Sequence, residues 1–268
     1  MIWAHQFLLE QFLVFTLVLS RVSGLVMTAP IFGTTDVPMQ ARGLLAVALA
    51  LLVMPMVWGQ SLAPPGNLVN YVVIVGAEVL VGFTLGMAVN TLLAGIQVAA
   101  NVIGQMSGLQ MAEIYNPTSD TTGPVFAQIM FYVTLAVFVL IGGHRKLLGA
   151  LLDTFVWLPP GLGGMPTGLA DATTDLVAQS FILAVRAAAP TMTALLLSQL
   201  VLGLIGRTMP QLNINALGFG VNSLVGMGML ALSLGAMVWM FQEQVDSLLE
   251  TVLDVFHQAA SRVPLAGS

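Results

Sequence analysis

The sequence predicts an all-α, polytopic membrane protein, and three observations carry the prediction. Of its 268 residues 57% are hydrophobic and only 7% charged, with a mean hydropathy of +0.95. A soluble domain carries roughly 25% charged residues, and one this poor in charge would expose large apolar patches and aggregate. Apolar runs near the length that crosses a bilayer core, about 20 residues, recur along the chain. The alternating ten-residue segments of an outer-membrane barrel do not occur.

The same composition narrows the function. The formal net charge is −5, and the 7 Lys and Arg residues are scattered. Nucleic acid, whose phosphates call for clustered basic side chains, is therefore excluded as a partner. Cysteine is absent, which removes disulfides and thiolate metal sites. The first residues, MIWAHQFLLE, lack a basic signal-peptide region and carry Glu10, so the N-terminal apolar segment is expected to be retained.

Taken in order, residues 7–29 are long enough to span but contain Arg21. Residues 43–58 are shorter, with Pro55 near the end. Residues 68–100 are too long for one simple span, contain Glu78, and fit either two helices or one long tilted helix. Residues 125–141 are free of charge. Residues 176–205 are over-long and contain Arg186 and Pro190. Residues 214–241 are nearly all apolar but rich in glycine, at Gly218, Gly220, Gly226, Gly228 and Gly235. Breaks fall at 30–42, 59–67, 110–124, 159–171 and 207–213, each rich in Pro, Gly, Asn or Asp.

Several of these segments are poor as plain spans. An Arg or Asp at a helix centre costs about 2.5–3.5 kcal/mol to insert, so such residues face protein or water. The pattern fits long helices and hairpins, interrupted by Gly and Pro, packed inside an assembly rather than facing lipid all round. Arg42, Arg145, Lys146, Arg207 and Arg262 are too few and too evenly spread to orient the chain.

The last segment, FQEQVDSLLETVLDVFHQAASR, has a different character. Val245, Leu248, Leu249, Val252, Leu253 and Phe256 recur at helical spacing on one face. Glu243, Asp246, Glu250 and Asp254 gather on another. A helix lying on a membrane surface carries Lys and Arg on its polar side. This one is expected to pack on protein, its acidic face wet or against a basic partner. The chain thus divides into a membrane core of helices, 1–241, and a C-terminal amphipathic helix and tail, 242–268.

Enzymatic chemistry finds no support. His5, His144 and His257 are far apart and none lies in HExxH; there is no GxSxG, no phosphate-cradling glycine loop, and no paired carboxylate in an apolar span. No cofactor or metal is expected. Two small-xxx-small pairs, Gly82 with Gly86 and Gly104 with Gly108, predict close helix packing, within the chain or between subunits. Glu78 lies in the strongly apolar VVIVGAEVLVGFTLG. It is either an interhelical hydrogen-bond anchor or a proton-relay or ion site. Pro210 lacks an N–H and disfavours helix at Met209. Backbone broken at membrane depth survives only beside protein or water, so Arg207, with five donors, Gln211 and Asn213 are expected to satisfy the break as a local polar cluster.

Several stretches together resemble one family. Arg207-Thr-Met-Pro210-Gln211-Leu-Asn213, followed by Gly218-Phe219, is similar to the R-x-x-P-Q-x-N…G-F/P stretch of the FliR/SctT family of type III secretion export-gate proteins. In the family's order come Pro30-Ile-Phe32-Gly33…Val37-Pro38…Arg42, Gly76-Ala-Glu78…Gly82…Gly86, and Gly104-Gln-Met-Ser-Gly108-Leu-Gln-Met-Ala112…Asn116-Pro117. Gly142-Gly143-His144…Leu147…Asp153-Thr-Phe155…Leu158-Pro159…Gly161 and Ala189-Pro190 complete the set. The resemblance covers about residues 20 to 225, and residues 105–112 look more like the flagellar than the virulence branch. Asn116 departs from the family's common Asp, and the loop before it has fewer large aromatics than some relatives.

The resemblance implies a passive gate. Family members assemble with several copies each of two smaller membrane proteins, and with a larger gate-associated one, in the bacterial inner membrane within the flagellar basal body. The assembly encloses a channel for unfolded protein substrates. By position Gln110, Met111, Ala112, Glu113, Ile114, Tyr115, Asn116 and Pro117 match the family's plug, and Glu78, Arg207, Pro210, Gln211 and Asn213 fall to assembly. The alternative is a small-solute or ion transporter, acting as monomer or homo-oligomer, with Glu78, Arg186 and Arg207 lining its path.

Overall fold

A computed structural model describes residues 2–33, 37–59, 66–108, 125–161, 169–211 and 213–262. Among them the chain forms seven helices: α1 (Ile2–Thr28), α2 (Met39–Val57), α3 (Leu68–Ser107), α4 (Val125–Leu140), α5 (Gly143–Trp157), α6 (Leu169–Thr208) and α7 (Ile214–Arg262). Five, α1, α2, α3, α6 and α7, are long and apolar enough to cross a membrane. The pair α4 and α5, bent by 63° at a short break, makes a sixth if counted as one span. The fold is all-α and polytopic.

The helix ends follow from local chemistry. Asn67 and Asn213 stand at N-caps. Their side-chain oxygens accept the N–H of Asn70 at 2.8 Å and of Ala216 at 3.3 Å, which satisfies donors the first turn leaves open. Gly142, at φ +73°, turns the chain between α4 and α5, and its carbonyl accepts the N–H groups of Arg145 and Lys146. Pro38 precedes α2, where its missing N–H costs nothing.

Residues 68–100, which the sequence allowed to be two helices, lie in a single helix that runs on to Ser107. At 40 residues, α3 is about 60 Å long, twice the roughly 30 Å of a bilayer's hydrocarbon core. Helix α6 has the same length and passes through Pro190. Helix α7 is continuous over 49 residues. The amphipathic segment that starts at 242 in the sequence is therefore the second half of a longer helix.

The chain forms two compact units. The first comprises Met1–Thr91, Gly142–Leu176 and Val245–Ser268. In it α1 packs on α2, and α2 touches α5. Its core includes Leu17, Val18, Leu25, Leu85, Leu147 and Phe155, with Val245, Leu248, Val252 and Phe256 from the amphipathic face of α7. The second comprises Leu92–Ile141 and Val177–Gln244. Its core gathers Ala99, Ala100 and Ile103 of α3, Phe126, Ala127 and Met130 of α4, and Ala184, Ala188 and Leu195 of α6. Phe138 and Phe241 meet edge to face, 6.4 Å between centroids.

Candidate functional site

The first unit is organised around one close helix approach. A Cβ placed on Gly24 of α1 would overlap the backbone of Val79, and one on Gly82 of α3 would overlap the carbonyl of Arg21. A Cβ on Gly86 would overlap the Thr28 hydroxyl. Glycine on both helices thus brings the two backbones into contact, the role small residues play between membrane helices.

That approach sets Arg21 against Glu78. Arg21 Nε donates to Glu78 Oε2 at 2.6 Å, with the side chains 0% and 1% exposed. One terminal guanidinium nitrogen donates to the Thr154 carbonyl and hydroxyl, at 3.0 and 3.2 Å, and the other to the Leu158 carbonyl at 2.9 Å. The Phe155 ring lies under the guanidinium, 4.3 Å from centroid to Cζ. The other Glu78 oxygen accepts the N–H of Gly161 at 2.9 Å.

Two effects compete in such a pair. Removing both ions from water costs several kcal/mol each, on the order of what their attraction returns. The balance turns on the remaining donors and lone pairs, and here they are used. Arg21 reinforces the end of α5: it shares the Thr154 carbonyl with the Leu158 N–H and meets the Leu158 carbonyl beyond it, at the negative end of the helix dipole. Glu78 holds the chain just past Pro159 and Pro160, where Gly161 adopts φ +86°. The arrangement is a closed knot of α1, α3 and α5. Both carboxylate oxygens are engaged, which suits an interhelical anchor.

Sequence reasoning singled out Glu78 and noted Arg21 only as an awkward charge, without joining them. A signal was there: Arg21, Gly24 and Thr28 lie on one face of α1, and Glu78, Gly82 and Gly86 on one face of α3, as residues three or four apart do. Charge, glycine and close contact alternate in matching order on the two helices.

The second glycine pair behaves differently. A Cβ on Gly104 would make ordinary contact with Phe126, at 3.6 Å, and Gly108 ends α3 at φ +75°. Gly108 is thus a helix terminator, the left-handed position that glycine fills at least cost, and the Phe219 ring lies 3.3 Å from where its Cβ would stand. The break at 207–213 also departs from expectation. It is closed by the Met209 N–H and Thr208 hydroxyl donating to the Ile205 carbonyl and by the Asn213 cap. Arg207 makes no hydrogen bond or ion pair among the described residues, and Arg207, Pro210, Gln211 and Asn213 are all exposed. The expectation that Arg207 satisfies the break is corrected: a helix end needs donors for carbonyls and acceptors for N–H groups, and neighbours on the chain provide both. Glu78 belongs to the Arg21 knot and not to this cluster. Residues 110–117, expected as the plug, lie outside the described residues. On α7, Asp246 pairs with Lys146 at 2.5 Å while both stay partly exposed.

Residues 12–248 match the family of bacterial export proteins, family 1. The chain belongs to this family. Among the family's curated members, it is 28% identical to the flagellar biosynthetic protein FliR of Escherichia coli (strain K12) over 247 residues, covering 92% of each chain. It is 29% identical to the protein of that description in Caulobacter vibrioides, over 85% of this chain and 92% of the relative. With the Bacillus subtilis (strain 168) protein it shares 26% over 91% and 95%. The family region contains the whole Arg21 knot and the break after α6.

Proposed function

We propose that this chain is a subunit of the flagellar type III protein export gate, forming part of the channel for unfolded substrates and its plug. The observation that carries the reading is similarity to FliR proteins along nearly the entire length of both chains. The uncovered helices support it. Only 17% of the apolar window of α6 and 11% of that of α7 is buried by the chain itself, against 44% for α1 and α3. Leu196, Leu200, Leu204, Leu224 and Leu232 all stand exposed. Partner subunits cover these faces: several copies each of two smaller gate proteins, with a larger membrane protein beside them, in the bacterial inner membrane within the basal body.

In this reading residues 110–117 close the channel at rest. Met111, Ile114 and Tyr115 supply bulk, and methionine adapts its shape to an irregular seal. Exposed Arg207 and Gln211 meet a neighbouring subunit. The deciding experiment is the native mass of the chain, purified gently from cells that co-express the two smaller gate proteins and the larger membrane protein. One copy in a large heteromeric complex is the expected result. A monomer or homo-oligomer free of partners would overturn the gate in favour of a solute transporter.

A further inference from the structure

We infer that the exposed face of α6 between Arg186 and Arg207 docks one helix of a different chain, and that this helix carries two carboxylates about 21 residues apart, one for each arginine. The inference rests on the heteromeric assembly proposed above and names the chemistry of one of its contacts.

The faces of α6 separate cleanly in the second unit. Ala184, Ala188, Thr191 and Leu195 recur at helical spacing and are buried. Between Arg186 and Arg207 another set, Ala189, Thr193, Leu196, Leu200 and Gly203, advances by alternating steps of three and four residues. All five are exposed, as are both arginines. Those steps average 3.5 residues, the period of a seam between two helices. A Cβ on Gly203 would meet nothing within 4 Å. Exposed leucines beside an open glycine make the relief of knob and hole with which a second helix interlocks.

The charges say what the partner carries. Neither Arg186 nor Arg207 has a hydrogen-bond or ion-pair partner among the described residues. The 20 residues between them hold no charge. The arginines are three heptads apart, about 31 Å along the axis, and so return to one side of α6, with a drift of about 20° per heptad. A guanidinium taken into an apolar contact needs acceptors, and a carboxylate matches its fork with two hydrogen bonds. One partner helix meets both arginines, and the spacing is the same whether it runs parallel or antiparallel.

Two other occupants fit less well. Arginines 31 Å apart also match the two headgroup layers of a bilayer, whose hydrocarbon core is about 30 Å thick. Yet exposed apolar side chains continue beyond Arg186. Val177, Phe181, Ile182 and Val185 are between 44% and 67% exposed, and would stand in water if Arg186 marked the edge of the lipid. A second copy of this chain fails on its acids. Within any one described helix the acidic residues furthest apart are Glu243 and Asp254 of α7, too close together to reach both arginines.

The chain has no cysteine, so single cysteines can report the contact. In the complex co-expressed with its partner membrane proteins, Ala189→Cys, Leu196→Cys and Gly203→Cys carry a benzophenone photocrosslinker, and mass spectrometry locates the adducts. All three should fall on one partner helix, advancing in one direction by about seven residues per step, with an acidic residue facing each arginine. Val201→Cys, about 100° round the helix from Leu200, should not mark that helix. Arg186→Glu and Arg207→Glu should each lower the fraction of chain recovered in the complex roughly tenfold or more. Exchanging the facing carboxylate for arginine should restore it. Both Glu variants, isolated, should unfold at the parent's temperature; a drop would place the arginines in the chain's own fold and overturn the assignment. Adducts on lipid, on a second copy or on several helices would overturn it too, as would a marked helix without the two acids or full recovery of both Glu variants. Any of these in a complex of full native mass leaves the gate reading standing. A parent chain free of partners removes both.

Discussion

Arg21 carries a full charge into a site with no exposed surface, and what makes it tolerable is the number of acceptors it finds there. Glu78, two oxygens of Thr154 and the Leu158 carbonyl surround it, so the energy of the site lies in the set and not in one ion pair. Two kinds of substitution therefore differ. Arg21→Met leaves Glu78 buried without a counter-charge and the Leu158 carbonyl without its donor, and should cost about 3–5 kcal/mol, as breaking a buried pair does. Replacing both, Arg21→Met with Glu78→Leu, should recover part of that loss, because no ion is stranded. Thermal unfolding of the detergent-solubilised chain measures both. Equal losses in single and double variants would mean that the pair is worth little and that the bonds from Arg21 to the end of α5 are the main term.

The helices are placed as much by absent side chains as by present ones. Gly24, Gly82 and Gly86 let α1 and α3 touch, and the Arg21–Glu78 bond depends on that spacing. Gly82→Val should push the helices apart, break the 2.6 Å contact and sharply lower the yield of folded chain. Gly76→Val, at a position where a Cβ meets nothing within 4 Å, should have little effect; monodispersity on size exclusion compares them. Much at this scale was legible in the sequence. Pro38, Asn67, Gly142 and Asn213 end or begin elements for reasons a single residue carries. The unbroken course of α3 was legible only as one of two alternatives and that of α7 not at all, since bilayer thickness argues for stopping a helix that nothing in its own chemistry stops. Nor was the Arg21–Glu78 pair, which joins residues 57 positions apart through a backbone approach that no local pattern specifies. Arg207 misled for the opposite reason: a break beside an arginine invites pairing them, yet the chain closes the break with its own backbone, Thr208 and Asn213.

For the molecule as a whole, the exposed charge of Arg207 and the exposed leucines of α6 and α7 pose one question, what covers them. If partner subunits do, Arg207→Ala should leave the isolated chain as stable as before, since Arg207 has no described partner in it, and should lower the yield of the heteromeric complex. Pull-down of tagged chain from co-expressing cells reads the second quantity, and thermal unfolding the first. Normal yield with altered export would put Arg207 in the channel instead.

The division into two compact units also bears on how the chain is made. Neither unit is a continuous stretch: the first takes its opening residues and its closing ones, 245–268, from opposite ends of the sequence. Domains ordinarily fold in the order in which they leave the ribosome. Here the ribosome delivers Arg21, Glu78 and Thr154 early, yet Val245, Leu248, Val252 and Phe256, buried in the same unit, arrive after every residue of the second. A nascent chain must carry an unfinished first unit through most of its synthesis, with that apolar surface open to lipid or to whatever protein reaches it first.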